Sequence, residues 1–337
     1  MNFIKVIFVC IYFLLACDEK KLIYEEEYIP ELDEDIPYEE LGSGKILFER
    51  ISEYGKYDCL YLIDIDKNLY YPIKIFGNWA YEFSLSPDGS KILFQIGTNI
   101  FVMNNDGSGL KQLTKLYGYL HPVWHRNSNK IYFIKEQKLY LLSIDDEEGN
   151  KRYVTNFAYY DGLGSFIGYL VPLGDYIALS SKEEIVFPLN NPPSPLSKGI
   201  YILDQNHYKI NLLYSSDSVD FFASPKFSPV DDNKIVFKGI KVDSNRAINS
   251  LFIFLLSMEN ENIDVIFKRD VNCSALWHDY SRWSEYLDFS PDGNKIIFNI
   301  NENDFESHIY VIDINSLSVF QMTNKKRVSD RHISWSN

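Results

Sequence analysis

One pattern recurs six times along this chain, and the recurrence restricts its fold more than any other feature. A charged residue followed by apolar, β-branched or aromatic ones occurs as Lys45-Ile46-Leu47-Phe48, Lys91-Ile92-Leu93-Phe94, Lys130-Ile131-Tyr132-Phe133, Asp175-Tyr176-Ile177-Ala178, Lys234-Ile235-Val236-Phe237 and Lys295-Ile296-Ile297-Phe298. By subtraction the copies start 46, 39, 45, 59 and 61 residues apart. A second element follows each copy: Leu60-Tyr61-Leu62, Ile100-Phe101-Val102, Leu139-Tyr140-Leu141, Ile200-Tyr201-Ile202, Leu251-Phe252-Ile253 and Ile309-Tyr310-Val311. Such short runs suit strands that pack on a pleated, half-buried surface.

Turn chemistry punctuates these runs. Ser86-Pro87-Asp88-Gly89 and Ser290-Pro291-Asp292-Gly293 place Pro where φ near −65° is wanted and Gly where φ must be positive. Asn105-Asp106-Gly107 does the same later in its repeat. Asp64, Asp204 and Asp313 follow the second element and suit the start of the next turn. Each repeat therefore reads as four antiparallel strands, a to d, with the Ser-Pro-Asp-Gly turn joining a to b. Four strands in about 40–60 residues make one blade of a β-propeller. The chain stops at His332-Ile333-Ser334-Trp335-Ser336, a strand-a pattern, whereas Gly44-Lys45-Ile46 opens the first repeat at strand b. The expected fold class is all-β: a six-bladed propeller over 44–337, closed by the C-terminal strand joining the first blade, which removes sheet edges.

The residues before the ring read as address and tether. Lys5 precedes an eleven-residue apolar run, Val6 to Ala16. That length suits a signal peptide over 1–16 and falls short of the roughly 18–20 residues needed to span a bilayer. Leu14-Leu15-Ala16-Cys17 resembles the bacterial lipobox, which implies cleavage before Cys17 and a lipid on its sulfur. Residues 17–43 carry eleven acids against Lys20 and Lys21, net −9 of the chain's −14. A block of this kind repels itself and stays solvated, so a flexible acidic tether is expected there. The chain is thus expected to be exported and held at a bacterial membrane.

Composition narrows the partners. With 46% hydrophobic and 16% aromatic residues, the chain is too apolar to be disordered. No basic stripe is present to displace phosphate counterions, so nucleic acid is not an expected partner, and a monomeric ring is. Once Cys10 leaves with the signal and Cys17 takes lipid, only Cys59 and Cys273 remain, which is no disulfide framework.

The repeats resemble those of the TolB-like six-bladed propellers, which are also seen in relatives of prolyl oligopeptidase and dipeptidyl peptidase. Two repeats carry the Ser-Pro-Asp-Gly motif intact, and the resemblance covers about residues 44–337. Departures limit what it implies. TolB has an α/β domain before its propeller where this chain has an acidic stretch. The peptidases add a hydrolase domain, and no Gly-x-Ser-x-Gly elbow occurs here.

Loop lengths single out one face. The a–b turns are tight, while the b–c and d–a connections vary, with Ser180–Gly199, Gly239–Ser250, Asn299–His308 and Lys268–Tyr286 expected as long loops. Function concentrates on such loops over a rigid scaffold. The last contains Trp277-His278-Asp279-Tyr280-Ser281-Arg282-Trp283, a hot-spot composition whose aromatics also suit sugar rings. The same two Trp serve equally well as a local core under the loop. Trp79 and Tyr119, with Tyr81, Tyr117, Tyr159 and Tyr160, fall at d–a positions of other repeats. The expectation is a non-catalytic binding module, without cofactor, for a protein, peptide or glycan. The alternative is a metal-dependent polysaccharide lyase-like enzyme. His121 and His332 each lie three residues before a strand-a Trp, and with His278 they could converge on a divalent metal. The resemblance to oligogalacturonate lyase, a similar propeller with His-bound metal, points the same way.

Overall fold

The computed structural model describes residues 32, 34–52, 59–73, 80–115, 118–136, 138–160, 166–169, 177–190, 192, 196–204, 209–244, 248–273, 286–303 and 306–337. A one-turn helix, α1 (Tyr38–Leu41), leads into β1 (Lys45–Ser52), β2 (Cys59–Asp64) and β3 (Leu69–Ile73). Four antiparallel four-stranded sheets follow from the chain's middle. They are β4 (Ala80–Leu85), β5 (Lys91–Ile96), β6 (Asn99–Asn104), β7 (Lys111–Gln112), then β8 (Tyr119–Trp124), β9 (Lys130–Lys135), β10 (Lys138–Ser143), β11 (Arg152–Asn156). A hairpin, β12 (Ala158–Tyr160) with β13 (Phe166–Tyr169), comes before β14 (Ala178–Leu179), β15 (Ile185–Leu189), β16 (Gly199–Asp204), β17 (Lys209–Tyr214). The fourth sheet is β18 (Phe221–Phe227), β19 (Lys234–Val242), β20 (Ile248–Ser257), β21 (Asn262–Cys273). Last come β22 (Leu287–Phe289), β23 (Lys295–Asn303), β24 (Glu306–Asp313), β25 (Val319–Gln321) and β26 (Val328–Ser336).

This is an all-β propeller of antiparallel four-stranded blades. Its sheet count departs from six separate blades: four sheets stand alone, and the strands of repeats 6 and 1 share one eight-stranded sheet. Within it β26 pairs β1 at seven positions, Lys45↔Ser336 to Ser52↔Val328. A single parallel bridge, Ser307↔Ser329, joins β24 to β26. Six hydrophobic clusters each draw side chains from two successive repeats; five lie between sheets, and the one shared by repeats 6 and 1 lies within the eight-stranded sheet. Phe94, Phe133, Phe187, Phe237 and Phe298, all from strand b, are almost fully buried in them. The repeated β-branched and aromatic runs make strands because each needs a second sheet to cover its apolar face.

The turns follow their residues. In Ser86-Pro87-Asp88-Gly89 the Gly89 N–H donates to Ser86 O (2.7 Å) at φ +66°, and Asp88 accepts from the Ser86 hydroxyl (2.6 Å). Ser290 to Gly293 repeats the arrangement. Asp313 accepts from the N–H groups of Asn315 and Ser316, opening its c–d turn as expected.

Three expectations are corrected. Of Asp175 to Ala178, expected as strand b of repeat 4, Asp175 and Tyr176 lie outside the described residues and Ala178 falls in β14, which is strand a; the turn is Ser180 to Glu184, and strand b is Ile185–Leu189. The b–c connections of repeats 5 and 6 are not long loops, because β19–β20 and β23–β24 pair out to Val242↔Ile248 and Asn303↔Glu306. The end of the presumed tether is packed on the ring: Leu32, Ile36 and Leu41 are buried in the cluster shared by repeats 6 and 1.

Candidate functional site

Strand a begins irregularly where the d–a connection enters it. The pairing register shifts between Tyr81 and Ser84, between Leu120 and Val123, between Ala223 and Lys226, and opposite β26 between Leu47 and Glu49. At each bulge a non-glycine residue is left-handed: Glu82 (φ 58°), His121 (52°), Ser224 (51°) and His332 (55°). Four copies make the bulge a property of the repeat, one that re-aims a side chain at the sheet's end. What changes from repeat to repeat is the side chain it carries, and in repeats 1 to 3 all three are ionisable.

These three residues are linked. His121 Nδ1 lies 3.0 Å from Glu82 Oε1, with both side chains at most one-tenth exposed. The Glu82 N–H donates to His332 Nδ1 (3.1 Å), which makes His332 a neutral imidazole protonated on Nε2. Burial, with the Arg331 charge adding to it, holds His332 well below the usual histidine range. Its ring packs 4.5 Å from that of Tyr286 and 5.5 Å from Phe83, centroid to centroid. Glu49 accepts from Arg331 Nε (2.6 Å) and lies 3.8 Å from His332 Nδ1. Glu82 Oε2 and Ser84 Oγ on β4 are buried without a hydrogen-bond partner among the described residues. A carboxylate held at one oxygen and open at the other is an acceptor for a donor group.

The opposite face is tied turn to turn. Arg126 Nη2 of repeat 3 donates to Ser228 O (3.0 Å) and Asp232 (2.5 Å) of repeat 5. Asp232 also accepts from Ser181 of repeat 4, and Asp88 N donates to Ser128 Oγ (3.0 Å) between repeats 2 and 3.

Of the residues expected at the site, His121 and His332 do occupy the same bulge position. The blade between them supplies Glu82, which sequence reasoning passed over although it stands three residues before the strand-a Leu85, just as the histidines stand before Trp124 and Trp335. Tyr119 opens β8. Cys17, Trp79, Trp277, His278, Asp279, Tyr280, Arg282 and Trp283 lie outside the described residues. Among the described residues no three His, Cys, Asp or Glu groups are placed to hold a metal ion. His332 Nδ1 is moreover committed to the Glu82 N–H. Cys59 is buried, with its thiol donating to Leu60 O (3.5 Å) and Ile73 O (3.8 Å).

No protein-family profile matches the chain, and neither does any curated protein. Solved structures do. TolB from Acinetobacter baumannii superposes with a TM-score of 0.65 at 13% identity, over 87% of this chain and 66% of that one. The chain thus spans just under two thirds of that protein. A protein described as TolB from Agrobacterium tumefaciens gives 0.54 at 13% identity, covering 84% and 90%. Oligogalacturonate lyase in complex with manganese gives 0.49 at 13% identity, covering 84% and 74%, too loose a likeness to argue from. At such identity the TolB matches speak to fold alone.

Proposed function

We propose that this chain is a membrane-anchored envelope lipoprotein, lipidated at Cys17, with a six-bladed propeller as a non-catalytic binding module. It takes a protein, peptide or glycan on the b–c/d–a face. Six hydrophobic clusters, one for each pair of successive repeats, support six blades. Only a single bridge joins β22–β25 to β26–β1–β2–β3 within the eight-stranded sheet, which supports the reading that the C-terminal strand completes the first blade. One observation carries the choice of face: the linked His332–Glu82–His121 group sits at the d–a end of strand a, with Glu82 Oε2 left without a partner among the described residues, whereas the a–b turns are tied to one another.

A photo-crosslinker at Tyr280 in intact cells, followed by pull-down, tests the module. Trp277→Ala and Trp283→Ala should each reduce capture about tenfold while the melting temperature holds. If both variants unfold, that loop is scaffold and the site is elsewhere. For the anchor, Cys17→Ser should move the chain out of the membrane fraction; its retention there would sink the lipid assignment. The alternative, a metal-dependent lyase, draws on the two histidines at the strand-a bulges, His121 and His332. It requires stoichiometric metal that disappears in a His121/His278/His332 triple variant, and none bound between about pH 6 and 8 would end it.

A further inference from the structure

The segment just before the ring is a strap. Glu34, whose side chain is 2% exposed, pairs with Arg50 (2.8 Å) and accepts the N–H groups of Asn324 (3.1 Å) and Lys325 (3.0 Å). Arg50 in turn grips Asp330 at 2.7 and 2.8 Å. Leu32, Ile36 and Leu41 are buried beside Ile46, Ile297, Met322 and Trp335. Asn324 and Lys325 belong to the d–a connection between β25 and β26, and Arg50 is near the b–c end of β1. Glu34 is therefore fastened on the long-connection face. Ten residues later, Gly44 stands at the other face, with its N–H on Asp66 in a c–d turn.

From this we infer that the strap fixes where the tether leaves the ring, and that a lipid on Cys17 then presents the b–c/d–a face toward the anchoring membrane. The inference rests on the anchored reading above. Reach decides the orientation. The 14 residues 18–31 extend at most about 50 Å. The eight residues of β1 make the ring about 25 Å thick. Turning the other face to the membrane would use half the reach in passing round the ring, and a self-repelling acidic stretch resists the bend. With the long-connection face inward, the whole length is available as stand-off.

Chemical coupling tests this apart from the anchor. A chain beginning at Cys17, with Cys59 and Cys273 replaced by alanine, is joined through the Cys17 thiol to a maleimide lipid in phosphatidylcholine vesicles carrying an acceptor dye. A donor dye is introduced by an unnatural amino acid at Asn303 (b–c end) or Asn127 (a–b turn), both exposed. Stronger transfer from Asn303 is expected, at least about twofold given the sixth-power distance dependence. Releasing the strap with Glu34→Ala and Leu32→Ser, in protein that still melts cooperatively, should level or reverse the difference, since the exit then shifts to Gly44. Equal transfer from both sites in the parent, or stronger transfer from Asn127, overturns the orientation. So does an unchanged asymmetry after release. If cells never lipidate Cys17 the fractionation result fails while this geometry stands.

Discussion

Two glycines are fixed by what lies against them. A Cβ on Gly44 (φ +94°) would come 2.3 Å from Ser336 O and 2.9 Å from Pro291 Cγ, and one on Gly89 (φ +66°) would come 1.8 Å from Asn337 O. Gly97 is left-handed too (φ +60°) but has nothing within 4 Å. Alanine at Gly97 should cost about 1–2 kcal/mol for the left-handed backbone alone. At Gly44 the clash with paired backbone of β26 adds about 1–3 kcal/mol. Asn337 lies past the last residue of β26 and can yield, so Gly89→Ala should fall between the two. Urea midpoints of the three variants give the order, and Gly97 as the costliest would contradict it. At the same scale, His332 makes stability depend on pH. Unfolded, its imidazole binds a proton near pH 6.5; buried, it stays neutral well below that. The unfolded state therefore binds more protons as pH falls, and stability drops by up to about 1.4 kcal/mol per pH unit below about 6.5. His332→Asn should flatten that slope in melts from pH 7.5 down to 5.5, and an unchanged slope would place the titrating group elsewhere.

At the scale of elements, the strap is held by a charge network that carries a large liability. Burial works against the Arg50 charge, and Asp330 and Glu34 more than offset it, so the guanidinium is firmly held in its charged form. Arg50→Met would leave two buried carboxylates facing each other, at a cost of about 3–5 kcal/mol. Because the network is buried, the loss should be nearly the same at low and high salt. A loss that vanishes in high salt would mean a solvated pair. None of this was legible in the sequence, where Glu34 sits in an acidic block that looks solvated and Asp330 is 280 residues from Arg50. Strands b and c were legible in five repeats because lysine and a run of β-branched or aromatic residues recur together, with a Ser-Pro-Asp-Gly turn ahead of two of them. In repeat 4 the turn is Ser180-Ser181-Lys182-Glu183-Glu184, without Pro or Gly, and strand b opens on an acid, Glu184-Ile185-Val186-Phe187. Asp175-Tyr176-Ile177-Ala178, a charged residue before a short run with an aromatic and a β-branched member, fits the repeated pattern better in sequence. The bulge site was half legible: the spacing that marks His121 and His332 also marks Glu82, but a glutamate among so many acids carries no signal of its own. The outer strand β21 shows restraint of another kind, since Asp264, Lys268 and Asp270 stand exposed along a free edge and discourage pairing with another chain.

At the scale of the whole molecule, the repeats hold each other instead of standing alone. Every hydrophobic cluster belongs to two repeats, and the innermost strands are stitched across the gaps: Leu85 N to Ser334 Oγ (3.1 Å), Trp335 N to Asp288 (3.2 Å) and Trp124 Nε1 to Ser84 O (3.2 Å). An open array of repeats can fray from its ends, because each unit meets only its neighbours. A ring with shared cores should instead melt in one transition. β26 is where that difference can be measured. It pairs β1, places Ile333 and Trp335 in the seam cluster, and reaches repeats 2 and 6 through Ser334, His332 and Trp335. Stopping the chain after Arg327 removes the inner strand of the first repeat, takes its contacts from repeats 2 and 6, and bares the edge of β1. The full chain should melt cooperatively as a monomer, and the shortened one should aggregate or melt without a transition. Weakening the two-residue outer strand β7 by Lys111→Pro should lower the melting temperature by only a few degrees, about 1 kcal/mol. A shortened chain that stays monomeric and melts as sharply as the parent would show that the blades are independent and the ring is not closed through β26.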